Sequence, residues 1–217
     1  MCIRDSISTY QTDKYWIAEG SKGLRSIQRK GSNSFEALNE PIILDGPYSN
    51  SAFDIVCKND KVYMIIGGKD LLNGKRFDKG GYILTYDYDK WSFIDPKEAQ
   101  KKLNLPRNPR DYTSIAVTTD DSNDEIVYAS SMGDGVIQYK NGTPVQSYNE
   151  KNAFKETAGG YGSGYCYIDG LAFDKNGNLW MTSSEVNHAV LVLDKAGAWH
   201  RLDIEQLRGV YTINDIL

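Results

Sequence analysis

Histidine and cysteine are scarce in this chain, and their scarcity limits the chemistry it can carry. Only two histidines, His188 and His200, occur among the 217 residues. Neither lies in a sequence setting that pairs it with a serine or cysteine nucleophile, so the pattern supplies no catalytic residue. The three cysteines, Cys2, Cys57 and Cys166, are an odd number. We expect Cys57 and Cys166 to be buried free thiols, which leaves the redox compartment open.

The sequence also lacks long apolar runs and any strong excess of one charge. No apolar run approaches the length of a membrane-spanning helix, so this segment is not expected to span a membrane. The formal net charge is −4, and the two signs are interspersed along the chain. This balance gives no electrostatic case for a nucleic-acid partner or for an anionic membrane surface.

What the sequence does contain is one pattern that occurs four times. Each copy has an apolar strand, a short Asp/Asn/Gly turn, an aromatic-led strand and then two more strands. The leading aromatics are Trp16, Tyr63, Tyr128 and Trp180, at spacings of 47, 65 and 52 residues. The last strand of each copy carries one large aromatic: Phe35, Trp91, Tyr148 and Trp199. Four short strands per unit are typical of a β-propeller blade, and we expect Trp180 to pack between blades.

The repeat predicts an all-β fold, namely a partial β-propeller of four-stranded antiparallel blades. About four blades are predicted, together with the first strand of another. The blades cover about residues 12–45, 50–95, 108–155 and 165–204 of a propeller domain at 12–217. The next blade is predicted to begin at Val210. Residues 1–11 are interpreted as a truncation or a cloning remnant plus the first strand, so we expect a fragment.

A short helix is predicted between the second and third blades. Asp95 is expected to cap it, Pro96 occupies the first helical position, and Glu98 follows three residues after the cap. This link accounts for most of the longest spacing between the repeats.

Two turns resemble functional motifs without meeting them. Asp174 to Asn178 begins like a calcium loop with Glu185 at its twelfth position, but Leu179 stands where the sharp turn needs glycine. An Asn-Gly hairpin turn explains the same residues, so no metal or cofactor is expected. Asn141 to Thr143 satisfies the N-glycosylation pattern, but it is interpreted first as a hairpin turn.

The glycine-rich stretch from Gly159 to Tyr165 offers the candidate ligand-binding residues. It lacks the lysine of a phosphate loop and the spacing of a nucleophile elbow. One interpretation is a long loop between blades. The other is a tyrosine-rich surface on the face where blade-connecting loops gather, with Tyr161, Tyr165 and Tyr167 stacking on a sugar or peptide.

Several of these stretches resemble a known group of propellers. Asp174 to Thr182 resembles the repeat of two-component-regulator propellers, and Tyr15 to Leu24 looks like the same repeat. Asn108 to Ile115, Gly133 to Gly142 and Tyr148 to Asn152 are similar to the propeller of PorZ-like proteins of the Bacteroidota type IX secretion system. The resemblance covers nearly the whole chain from about Thr12.

This resemblance implies a cell-surface protein without catalytic activity, at the outer membrane or in the periplasm of a Bacteroidota-type bacterium. PorZ-like proteins act as interaction scaffolds in an outer-membrane attachment complex, beside a sortase that transfers cargo to anionic lipopolysaccharide. The implied partners are other secretion-complex proteins and a lipopolysaccharide or other glycan. The family motif supplies no catalytic residue.

Two alternatives stay open. The first is the periplasmic ligand-sensing propeller of a hybrid two-component regulator. The second is an enzyme, because the turn at Asp174 is also similar to that of streptogramin-lyase propellers. Lyase chemistry would need a histidine base and a metal-binding carboxylate, and His188 is the only local candidate.

Overall fold

The computed structural model describes residues 7–18, 24–40, 42, 46–154, 164–211, 213 and 216. The chain divides into two compact units, Met1–Gly46 and Pro47–Leu217. The first unit contains an antiparallel sheet in the order β1-β2-β3-β4. Its strands are β1 (Ile7–Gln11), β2 (Lys14–Ala18), β3 (Leu24–Arg29) and β4 (Phe35–Ala37). The rings of Tyr15 and Phe35 meet edge to face with their centroids 6.0 Å apart.

The second unit contains three further antiparallel meanders. One consists of β5 (Ala52–Lys58), β6 (Lys61–Ile66), β7 (Ile83–Asp87) and β8 (Lys90–Ile94). The next consists of β9 (Tyr112–Thr119), β10 (Glu125–Gly133), β11 (Gly135–Lys140) and β12 (Thr143–Tyr148). The last consists of β13 (Cys166–Phe173), β14 (Leu179–Ser183), β15 (Val190–Leu193) and β16 (Trp199–Leu202). These meanders confirm the predicted all-β fold of a partial propeller with four-stranded blades, and we call the four meanders blades 1 to 4.

Blades 3 and 4 are also joined through their strands. β10 pairs with β13 at Met132–Tyr167 and Gly133–Cys166, which gives one continuous sheet. The helix α1 (Pro96–Leu103) lies between blades 2 and 3 in the sequence. As predicted, Asp95 caps it, and its carboxylate accepts a hydrogen bond of 2.9 Å from the backbone N–H of Lys97. The helix ends at Asn104, whose φ of 52° is left-handed.

Blade 3 presents apolar side chains on both of its faces. Because successive residues of a strand point to opposite faces, alternate positions pack against different neighbours. The face toward blade 2 carries Ile115, Val117, Val127, Ala129, Ile137 and Tyr139. The face toward blade 4 carries Ala116, Ile126, Tyr128 and Val136. Full burial of one such large aliphatic side chain contributes about 1.5–3 kcal/mol, so this packing is the main force that holds the blades together.

The leading aromatics of blades 2 and 3 each pack toward the following blade. Tyr63 is fully buried against blade 3, and Tyr128 packs against blade 4 with its ring 5.9 Å from that of Phe173. Trp180 lies on the face of β14 opposite to Leu179 and Met181, which pack in the cluster between blades 3 and 4. It is only partly buried and faces away from blade 3, as Tyr128 faces away from blade 2, so its packing between two blades stays a prediction.

Three hairpin turns share one aspartate-based design. Asp120, Asp174 and Asp194 each accept a hydrogen bond from the backbone N–H four residues later. The residues three positions after these aspartates have positive φ: Asn123 at 62°, Gly177 at 85° and Gly197 at 87°. In the Asp174 turn the second carboxylate oxygen accepts hydrogen bonds from Asn178 Nδ2 at 2.7 Å and Trp180 Nε1 at 3.0 Å. The carboxylate is therefore occupied by protein donors within the hairpin.

The Asp174 turn gives a testable dependence of stability on pH. The hydrogen bonds from Trp180 and Asn178 lower the pKa of Asp174 to about 2. A carboxylate with a lowered folded-state pKa stabilises the fold above its unfolded pKa, and this stabilisation is lost as the pH falls toward the folded value. We expect Asp174→Ala to lower the Tm at pH 7, and the difference from the parent to shrink between pH 4 and pH 2. Asp89→Ala, at an exposed aspartate of the β7–β8 turn, should change the Tm little at either pH.

The structure tests the expectations for the cysteines and for a strand beginning at Val210 only in the described residues. Cys166 is buried, and burial raises the pKa of its thiol to about 12. Cys57 is exposed, because it shares the open face of β5 with Ile55, so the prediction of a buried thiol is wrong there; Cys2 lies outside the described residues. In the predicted strand from Val210, the described residues are not in a strand, and residues 212, 214, 215 and 217 lie outside the described part.

Candidate functional site

Several blade connections of the second unit meet on one face, which we call the loop face. It gathers the 67–82 loop between β6 and β7, the link from α1 to β9, the β10–β11 turn, and Gly164 and Tyr165 just before β13. Backbone hydrogen bonds join them: Asp111 N–H donates to Lys79 O at 2.9 Å, and Met132 N–H donates to Asp111 O at 3.0 Å. The loops therefore form one connected surface above the strand ends of blades 2 to 4.

Asp134 is the charged centre of this face. It occupies a one-residue turn between Gly133 and Gly135, which have φ of 125° and 80°. Its Oδ1 accepts a hydrogen bond of 2.8 Å from Arg107 Nε, and its Oδ2 accepts one of 3.2 Å from Arg110 N–H. This aspartate therefore holds the link after α1 against the end of blade 3.

A cleft of about 430 Å³ opens beside Asp134. Its lining is mixed: Leu105, Pro106, Arg107, Gly133, Asp134, Ser147, Asn149, Glu150, Lys151, Gly164 and Tyr165. Both signs of charge, an amide, a hydroxyl and one aromatic ring thus converge on a space of small-ligand size. Such a set offers donors and acceptors for a polyhydroxylated ligand together with a ring for its apolar face.

Tyr165 is the sequence-predicted candidate that the structure places in this cleft. Its ring lies close to Gly133, where an added Cβ would come within 2.8 Å of it. Partial burial raises the pKa of Tyr165, although its interaction with Arg76 opposes the shift. The tyrosine ring is thus held by neighbours on two sides and still lines the opening.

Tyr167 does not join Tyr165 in the cleft wall. Tyr167 is 2% exposed and lies beneath Lys69, whose Nζ is 4.8 Å from the ring centroid. Its ring is therefore covered and supports Tyr165 edge to face, with the two centroids 6.4 Å apart. Tyr161 lies outside the described residues.

Lys69 and Asp169 form a buried ion pair that no local sequence motif indicates. The side chains are 1% and 0% exposed, and they join the 67–82 loop of blade 2 to β13 of blade 4. Ser184 donates a further hydrogen bond to the Asp169 carboxylate. Burial raises the pKa of Asp169, and the charge of Lys69 opposes that rise. Lys69 and Asp169 are far apart in the sequence, so no local pattern could predict that they pair. The adjacent Gly67 and Gly68 indicate only that the backbone at the start of the loop is constrained.

The remaining sequence candidates lie away from the cleft. His200 contacts Asp194 through Nε2 at 2.7 Å on the outer strand β16. Asn141 has a left-handed φ of 47°, and its side chain donates to Asp124, as a hairpin residue would. Among the described residues, no three His, Cys, Asp or Glu side chains come together as ligands for a metal ion. No helix in the described part is long and apolar enough to cross a membrane.

Comparison with solved structures identifies proteins of similar fold. The chain superposes on PorZ, a bacterial surface component of the type IX secretion system of Porphyromonas gingivalis, with a TM-score of 0.66 and 21% identity. The match covers 97% of this chain and 27% of the PorZ chain, so this chain spans about a quarter of that protein. The resemblance to PorZ-type propellers predicted from the sequence is confirmed at the level of fold.

Two further matches are more distant. Virginiamycin B lyase from Staphylococcus aureus has a TM-score of 0.44 at 13% identity, covering 94% of this chain and 58% of the lyase. The extracellular domain of a B. thetaiotaomicron protein described as a hybrid two-component system has a TM-score of 0.42 at 12% identity, covering 91% of this chain and 22% of that one. No protein-family model and no curated protein sequence matches the chain.

Proposed function

We propose that this chain is part of a non-catalytic propeller of the bacterial cell surface, an interaction scaffold in a type IX secretion and sortase attachment complex. We propose further that its loop-face cleft binds a glycan, with the polysaccharide of lipopolysaccharide as the ligand. The fold likeness to PorZ supports the first part. The observation that carries the second is the cleft beside Asp134, where Tyr165 stands among charged and amide side chains.

The chemistry of the cleft suits a sugar better than an apolar ligand. Arg107 and Lys151 can donate to hydroxyl or carboxylate oxygens, whereas Glu150 and Asp134 can accept from hydroxyl groups. Tyr165 offers an aromatic surface to the C–H face of a sugar ring, and its position is set by Gly133 and Arg76 before any ligand arrives. Such preorganisation reduces the entropic cost of binding.

The proposal is tested by measuring how tightly the chain binds the polysaccharide part of lipopolysaccharide, prepared free of lipid from a Bacteroidota bacterium. Tyr165→Ala should weaken binding measured by isothermal titration calorimetry about fivefold to tenfold, because an aromatic contact of this kind contributes about 1–1.5 kcal/mol. Tyr165→Phe retains the ring and should retain most of the affinity. Tyr88→Asn removes an exposed tyrosine from the β7–β8 turn, at a left-handed position that asparagine tolerates, and should leave binding unchanged. Polysaccharide binding that is equal in Tyr165→Ala would rule out this cleft.

The sensor alternative rests on the same cleft, because a ligand-sensing propeller would also need a preformed site on its loop face. The two functions differ in what the gene encodes after Leu217. A second propeller and a β-sandwich sorting segment would support the scaffold, whereas a membrane span followed by a histidine kinase would support the sensor. For the enzyme alternative the test is chelator-sensitive lyase activity on a streptogramin, and we expect none.

A further inference from the structure

The connection between β6 and β7 is built as a projecting arm. It runs through residues 67–82, whereas the corresponding connection in blade 3 is the single residue Asp134. Its base is fixed to the body of the unit by the buried pair of Lys69 with Asp169. Beyond that base, Lys69 and Arg76 form a bridge, and Asp70 to Lys75 make a tight turn, which we call the tip.

The tip presents two adjacent leucines to solvent. Leu72 is 98% exposed and Leu71 is 55% exposed, and Phe77, behind the tip, is 46% exposed. Single exposed apolar residues are common on protein surfaces and need no explanation. Leu71 and Leu72 differ from such single residues, because they are adjacent and lie at the end of an arm whose base is anchored. The tip also contacts the C-terminal part of the unit, where the Tyr211 hydroxyl donates to Asn73 O at 3.5 Å.

Four of the six backbone N–H groups of the tip, those of Asp70, Leu72, Gly74 and Lys75, donate to acceptors within it. Asp70 N–H donates to Lys75 O and Gly74 N–H donates to Asp70 O, both at 2.8 Å. Leu72 N–H donates to Asp70 Oδ1 at 2.8 Å, and Lys75 N–H donates to Asn73 Oδ1 at 2.9 Å. Backbone groups that are already paired can enter an apolar medium without losing hydrogen bonds to water. The tip is also ordered beforehand, so insertion would cost little conformational entropy.

We propose that this tip inserts Leu71 and Leu72 shallowly into a lipid surface. Each leucine side chain that moves from water into an apolar phase raises the membrane partition coefficient by about tenfold to a hundredfold. That gain is sufficient for reversible adsorption to a bilayer, which demands no shape complementarity. It is small for a specific protein interface, which buries about 1,000 Å² or more around aromatic or arginine anchors.

Charge plays a minor part in this contact. Lys75 belongs to the tip and Lys79 follows it closely in the sequence, but the chain as a whole carries a net charge of −4. Local attraction to anionic headgroups and overall repulsion therefore oppose each other. The apolar side chains decide the binding, and zwitterionic and anionic membranes are bound within a few-fold of each other.

Vesicle flotation of the 217-residue chain tests the proposal, with phosphatidylcholine vesicles and with vesicles containing about 30% phosphatidylglycerol. The double variant Leu71→Ser/Leu72→Ser should lower the partition coefficient at least tenfold on both. Val145→Ser, at an exposed apolar residue of β12, is the matched control and should bind like the parent. Leu72→Trp should show a blue-shifted emission on vesicle addition and quenching by lipids brominated in the acyl chain.

Three results would each overturn insertion. They are no binding at millimolar lipid, equal binding by the double-serine variant, or binding confined to anionic vesicles and abolished by salt. Circular dichroism and the Tm should be unchanged in the serine variants, since the replaced side chains are exposed. Lipid binding and polysaccharide binding are measured with different probes and different variants, so either proposal can fail while the other stands.

Discussion

Gly67→Ala is expected to destabilise the second unit by about 3–5 kcal/mol, because steric overlap and backbone strain act together. A Cβ at this position would lie 2.2 Å from the backbone nitrogen of Tyr112 and 2.6 Å from Cα of Asp111. Both neighbours are backbone atoms, so no side-chain rotation relieves the overlap. Gly67 also has a φ of 141°, which residues with a side chain rarely adopt.

Urea unfolding followed by tryptophan fluorescence measures this loss. A loss of that size is a large share of the total stability of a typical domain, so the midpoint should fall steeply. Gly46→Ala is the matched control, because no heavy atom lies within 4 Å of the added Cβ, and it should change stability by less than about 0.5 kcal/mol. A Gly67→Ala variant within 1 kcal/mol of the parent would show that the start of the arm is not tightly packed against β9.

The strands could be predicted from the sequence because each depends on local patterning. Alternating apolar residues between turn signals define β9, β10 and β14 without reference to any distant residue. The aspartate turns are equally local, since Asp174 satisfies the backbone of the same hairpin. Repetition then added what one strand cannot show, namely that four similar meanders form blades.

The candidate site was predicted only in part, because its geometry depends on contacts between distant loops. Tyr165 was identified from the composition of its loop, and it does line a cleft. Tyr167 belongs to the same stretch, yet Lys69 from another blade covers it. Asp134 and Arg107 were not singled out as a pair, since one belongs to a β-turn and the other to an inter-blade link. The exposure of Cys57 was missed because the faces of β5 are not equally covered.

Loss of the Lys69 side chain should be as damaging as the clash at Gly67, for an electrostatic reason. Lys69→Met retains most of the side-chain volume but leaves Asp169 as a buried carboxylate without its cation. Removal of one partner from a buried pair typically costs about 3–5 kcal/mol, even where the intact pair adds little net stability. We therefore expect a loss of that size at pH 7, measured by urea unfolding. Lys75→Met, at an exposed lysine of the tip, should be nearly neutral.

The pH dependence distinguishes this charge effect from a packing defect. Burial raises the pKa of Asp169 and Lys69 opposes the rise, so removing Lys69 should raise the pKa further. A carboxyl group with a raised folded-state pKa costs stability as the pH increases through that value, since folding then requires either protonation or a buried charge. The loss in Lys69→Met should accordingly be smaller at pH 4 than at pH 7. The double variant Lys69→Met/Asp169→Asn removes the charge and can keep the bond from Ser184, so it should recover at least half of the loss. A loss that is independent of pH, or no recovery in the double variant, would mean that Lys69 supports the arm by packing and that its charge is incidental.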